Sequence, residues 1–117
     1  MINPYLLLIT YLGYVRITDF GVAKFQQKEN SSETSGTPGY MAPEVMVAQN
    51  HNYLVDIFAV GVMGFEFMYG KRPYLGKSRK EIKDLILAKQ VQIRPNEIYE
   101  GWSLESADFI NKVKLNN

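Results

Sequence analysis

Sixteen consecutive residues, Leu54 to Tyr69 (LVDIFAVGVMGFEFMY), carry only two charged side chains, Asp56 and Glu66. A helix that is apolar nearly all round must be surrounded by protein on every side, so the rest of the chain has to fold around this segment. At 1.5 Å per residue it reaches only about 24 Å, short of a hydrocarbon core of roughly 30 Å, and it reads as a core helix rather than a membrane span. Gly70 stands where such a helix should stop, with Pro73 just beyond.

The other elements follow from local pattern. The apolar run YLLLITYLGYV has no basic segment before it and no small-residue cleavage site, so it reads as a buried strand rather than a signal peptide. Tyr14 to Thr18 are mostly β-branched or aromatic after the turn residue Gly13, which predicts a strand over 14–18 in a β-hairpin. From Asp19 to Gly39 the periodicity disappears and polar residues take over in QQKENSSETSG, the composition of a mobile loop. Pro43 to Ala48 reads as a brief helix. Ser78 and Glu81 have capping-box spacing ahead of a stripe of Ile82, Leu85, Ile86 and Lys89. Ser103 heads a last helix whose Ala107, Ile110 and Val113 share a face, with Phe109 beside it. The order is a hairpin, a long loop and four helices.

Composition closes off several functions. A chain of 117 residues, 46% hydrophobic and 21% charged, suits one globular unit. Its formal charge of +1 advertises neither nucleic acid nor an anionic membrane as partner. There is no cysteine for a disulfide or a thiolate zinc site, and the lone His51 makes no metal site by itself. Absence of cysteine fits an intracellular, cytoplasmic protein.

Taken singly, TDFG at 18–21 is an ordinary turn in which Asp caps a bend and Gly takes a positive φ, and APE at 42–44 is ordinary helix-start chemistry. Together and in order they are more specific. Asp19-Phe20-Gly21, then GTPGYMAPE from Gly36 to Glu44, then DIFAVGVMGFEFMYGKRPY resemble the protein kinase family from about Gly13 to Val113. The Gly-Thr-Pro-x-Tyr wording is similar to the serine/threonine type, and GKSRKEIKDLILAKQVQI to the AGC group.

The resemblance implies an α+β kinase C-lobe portion that is mainly α. It comprises a strand before DFG at 13–18, an activation segment over 19–44 and a helical part over 45–117. It implies phosphoryl transfer from ATP to protein Ser or Thr, with Asp19 on the Mg²⁺ that bridges the phosphates, Phe20 packed against the interior and Gly21 permitting a flip. Thr37 matches the Thr that bonds near the catalytic base, Glu44 the Glu that pairs with a later Arg, and Asp56 the helix Asp that holds the catalytic loop. A Ser/Thr-rich loop joined to a stiff Pro-containing floor is what a phosphorylation-switched segment requires. The family's regulatory position falls on Glu33, whose fixed charge imitates part of a phosphate; Ser32, Thr34 and Ser35 are the alternative acceptors.

Other parts of the pattern are replaced. Laid against the stretch that leads from the family's catalytic loop to DFG, Asn3 falls on its Lys, Pro4 on its Pro, Leu6 on the metal-binding Asn and Met1 on the catalytic Asp. Neither Met nor Leu accepts a proton or binds Mg²⁺, and Phe58 stands where the family has Trp. No Gly-rich loop or nucleotide-clamping Lys precedes DFG. The sequence therefore reads as an incomplete kinase, inactive alone. The alternatives are a non-catalytic interaction module or a decayed gene fragment. Protein substrates are implied, with no nucleic acid and no membrane, and a partner is expected to cover helix 54–69 if its neighbours are lacking. Glu66, Glu97, Glu100 and Glu105 read as surface carboxylates.

Overall fold

The computed structural model describes residues 7–21, 23 and 36–115, without the side chains of Lys114 and Leu115. Strands β1 (Leu7–Ile9) and β2 (Val15–Ile17) pair antiparallel, with Leu7 opposite Ile17 and Ile9 opposite Val15. The turn between them is closed by Gly13 N–H donating to the Thr10 carbonyl at 2.9 Å and Thr10 N–H donating to that of Tyr14 at 2.8 Å. The strand expected over 14–18 is thus present but one residue shorter at each end.

Its burial differs from expectation. The run was expected to form a buried strand, yet Leu8, Ile9, Tyr11, Leu12, Tyr14, Val15 and Ile17 are all exposed. Only Leu7 packs against the main core, half-buried. Two strands have two faces, and among the described residues no second layer lies over them, so side-chain alternation has nothing to sort against.

Four helices account for the rest: α1 (Pro43–Met46), α2 (Leu54–Tyr69), α3 (Arg79–Ala88) and α4 (Leu104–Leu115). Asn52 starts α2 by accepting from Leu54 N–H at 2.9 Å. Gly70 ends it in the left-handed region (φ 71°), its N–H returning to the Glu66 carbonyl at 2.7 Å. Ser78 caps α3 by accepting from Glu81 N–H at 3.2 Å. The Glu81 carboxylate takes the N–H of Lys77 instead of that of Ser78, at 2.7 Å, so the box closes one residue earlier than the standard motif. Ser103 accepts from Ser106 N–H at 3.1 Å to open α4.

One side of α2 forms the main core. Val55, Phe58, Ala59, Val62 and Met63 pack with Met41, Ala42 and Val45 and with Ile82 and Ile86 of α3. A second cluster joins Phe65 and Met68 to Ala107 and Ile110 of α4 and to Ile93. The helices approach closely at Gly64, where a Cβ would stand 3.0 Å from Ile110 Cγ1. Burial is not complete all round, as the apolar pattern of α2 had implied. Ile57 is 38% and Phe67 63% exposed. Leu85 of the α3 stripe and Phe109 also face solvent, whereas Ile82, Ile86, Ala107 and Ile110 are buried as expected.

Between α3 and α4 the chain runs as a strap over 89–94, extended at both ends. Asn111 of α4 holds it from inside: its Oδ1 accepts from Ile93 N–H at 2.8 Å and its Nδ2 donates to the Ile93 carbonyl at 2.9 Å. Two residues earlier, Val91 N–H donates to the Tyr74 hydroxyl at 3.2 Å. Side-chain amide and phenol thus replace the neighbouring strand that a sheet would supply.

Candidate functional site

The stiff segment after the polar loop begins at Thr37, whose backbone is extended (φ −85°, ψ 120°) and whose carbonyl accepts from Tyr40 N–H at 3.0 Å. Pro38 opens a single 3-10 turn, Pro38–Tyr40, and Pro43 opens α1. Both prolines occupy positions where their fixed φ suits a turn start and no N–H is needed. Tyr40, Met41, Ala42 and Val45 are buried, so the floor is anchored by its own side chains. Glu44 lies in the first turn of α1, where a carboxylate complements the helix dipole.

The floor is fastened to the central helix through polar atoms as well. The Tyr40 hydroxyl donates to Glu66 Oε2 at 2.5 Å, and the guanidinium of Arg72 lies 5.4 Å from the centre of the Tyr40 ring. Gly39 makes this stacking possible: a Cβ there would overlap that guanidinium, standing 2.8 Å from Cζ. Glu66 is therefore no scattered surface carboxylate, as it had been read, but the half-buried acceptor of a buried tyrosine. The signal available was its isolation in an apolar helix, since a carboxylate so placed needs a donor.

The DFG stretch is arranged differently from the turn expected. Asp19, not Gly21, takes the positive φ, 56°, a region that Asp tolerates better than most residues. Its Oδ1 accepts from Gly21 N–H at 3.3 Å, closing an Asx-type turn. Phe20, implied to pack inside, is 69% exposed because the hairpin leading to it carries no covering layer among the described residues. Asp56 is half-buried in the first turn of α2, and Thr37 is half-buried with no side-chain cap bond. Met1, Asn3, Pro4, Leu6, Ser32, Glu33, Thr34 and Ser35 lie outside the described residues.

This set does not fit Mg-ATP. Asp19 offers one exposed carboxylate already turned onto its own loop, and among the described residues no three His, Asp or Glu side chains gather to hold a metal ion. A hard cation bound through phosphates needs converging oxygens and a donor-lined cradle. What the described residues do provide is a rigid floor. No helix among them is long and apolar enough to cross a membrane.

Two tyrosines of the helical part have acidities displaced by their surroundings. Burial pushes the Tyr74 phenol above its ordinary value, against a lowering by the Val91 N–H that it accepts. Burial likewise raises Tyr69, with smaller contributions from Glu97 and Tyr99.

Comparison with known proteins agrees with the residue-level resemblance. Residues 3–114 match the protein kinase domain family. The chain is 31% identical over 112 residues to a cAMP-dependent protein kinase, catalytic subunit-like, of Caenorhabditis elegans, covering 96% of this chain and 27% of that protein. It is 35% identical over 97 residues to the serine/threonine-protein kinase Sgk1 of Homo sapiens, covering 81% of this chain and 22% of the relative. The chain thus spans about a quarter of the length of these relatives. On that match and these identities, the chain belongs to the protein kinase domain family.

Proposed function

We propose that this chain is the substrate-side scaffold of an AGC-like serine/threonine kinase domain, whose reaction is phosphoryl transfer from ATP to protein Ser or Thr, and that residues 1–117 alone do not catalyse it. The observation that carries this reading is the contrast between the two halves of the segment from DFG to APE. The floor from Thr37 to Glu44 is tied to α2 through Tyr40 and Glu66, which supports a role in holding a peptide. Asp19 has one carboxylate and no second ligand among the described residues, and the positions of base and second metal ligand fall on Met1 and Leu6. Positioning without metal and base leaves phosphoryl transfer unassisted.

A non-catalytic interaction module is the second reading, favoured by the exposed apolar hairpin. One experiment addresses both. Purified 1–117, incubated with Mg²⁺, γ-labelled ATP and a mixed protein substrate, is expected to incorporate no label, and Asp19→Ala to leave that result unchanged. Mg²⁺-dependent incorporation abolished by Asp19→Ala would refute the reading.

A further inference from the structure

Mid-strap, Tyr74 and Asn111 hold the backbone over 89–94 at alternate residues. In extended backbone, successive residues aim their N–H and C=O groups to opposite sides. Val91 turns its N–H inward to Tyr74, and Ile93 turns both its N–H and its carbonyl inward to Asn111. Gln90 and Gln92 must then turn theirs outward, and they make no hydrogen bond with any described residue. This is an open edge of irregular but extended-ended backbone, a template onto which another extended chain can pair.

The edge borders a cleft of about 660 Å³ between the end of α2 and the strap. Its floor is aromatic: Tyr69 lies 4.5 Å from Phe65 and 5.1 Å, edge to face, from Tyr99, centroid to centroid. Lys71, Lys89 and Arg94 line it, and none of the three makes an ion pair with a described residue. Glu97 is the one carboxylate lining it, and its Oε2 is already taken by Arg94 N–H at 2.9 Å. Three cations with no ion-pair partner among the described residues, beside backbone donors and acceptors likewise unbonded there, favour an anionic, extended occupant.

We propose that the outer edge of the strap at Gln90 and Gln92 is a docking site for an extended acidic segment of a partner protein. The segment adds to the edge as a β-strand. Lys71, Lys89 and Arg94 hold its carboxylates, and Tyr69 with Tyr99 seats one of its apolar or aromatic residues. Backbone pairing supplies affinity without sequence preference, and the cations and aromatic floor select charge and register. The site lies outside the floor and the DFG turn and does not rest on the kinase reading.

The test uses the whole 117-residue chain and a fluorescein-labelled peptide that alternates glutamate with valine around one central tyrosine, followed by anisotropy at low salt. We expect saturable binding, at least tenfold tighter than to the same peptide with lysine in place of glutamate. Lys89→Glu with Arg94→Glu should weaken the acidic peptide at least tenfold. The likewise exposed pair Lys77→Glu with Lys80→Glu should change it less than twofold. N-methylation of the peptide's alternate amides should abolish binding in one register and spare it in the other. No saturable binding, equal binding of both peptides, equal loss from the two charge reversals, or indifference to methylation in both registers would each overturn the proposal. All four substituted side chains are exposed and outside both clusters, so the comparison does not hinge on folding.

Discussion

The Tyr40 hydroxyl and the Glu66 carboxylate, 26 residues apart in the chain, are joined by a hydrogen bond of 2.5 Å that ties the Pro-containing floor to the central helix. Tyr40 is buried, so its hydroxyl has this acceptor rather than bulk water, and a carboxylate acceptor makes for a strong bond. Tyr40→Phe removes the donor and leaves a half-buried carboxylate short of one partner. Its expected cost is about 1.5 to 3 kcal/mol, read from urea unfolding. A change below a few tenths of a kcal/mol would mean that the bond does not fasten the floor.

Arg72 and Gly39 make a pair whose coupling is testable. Gly39→Ala places a methyl where the guanidinium lies, and since that is the far end of a flexible side chain, Arg72 swings off the Tyr40 ring. The expected loss is about 0.5 to 1 kcal/mol of cation–π attraction. In an Arg72→Ala background the clash is gone, and the same Gly39→Ala becomes neutral or stabilises by up to about 1 kcal/mol through the unfolded chain. A double-mutant cycle showing plain additivity would contradict the contact.

Alkaline stability reports on Tyr74. Burial raises its folded pKa above the 10.0 of the free phenol, so the folded state prefers the protonated form. The unfolded chain releases its proton first as pH rises. The stabilisation is therefore complete below pH 10 and declines as pH climbs from there through the raised folded value. Thermal melts of wild type and Tyr74→Phe should converge above pH 10, with the wild type showing the steeper alkaline fall. Parallel alkaline limbs would count against burial as the cause.

The hairpin exposes several large apolar side chains, with Ile9 and Leu12 each 77% exposed. Exposed apolar surface of this kind binds hydrophobic dyes and drives association. Ile9→Lys with Leu12→Lys should cut dye fluorescence at least twofold and shift sedimentation toward monomer, while stability stays within about 0.5 kcal/mol. Loss of cooperative unfolding in that variant would show that the hairpin packs against something after all.

Helix positions were legible from the chain because caps and stops are local. Gly70, Ser78 and Ser103 act on groups within a few residues, so α2, α3 and α4 appear where apolar periodicity places them. The site was legible only in part. The motif order from Asp19 through Glu44 to Asp56 marked the family, but sequence reading left Glu66 on the surface and Phe20 in the interior, and the structure reverses both.

What the sequence determined alone is therefore whatever depends on a residue and its near neighbours: element type, element ends and the spacing of motif residues. Tertiary structure decided what depends on which surfaces meet. An apolar side chain carries no record of its covering layer, so Leu8 and Val62 look alike in sequence while one is 58% exposed and the other fully buried. The same holds for polar partners. Asn111 pairs with the backbone of Ile93 and Tyr40 with Glu66 only because packing of α4 and α2 brings remote groups within hydrogen-bond reach, where desolvation obliges them to pair.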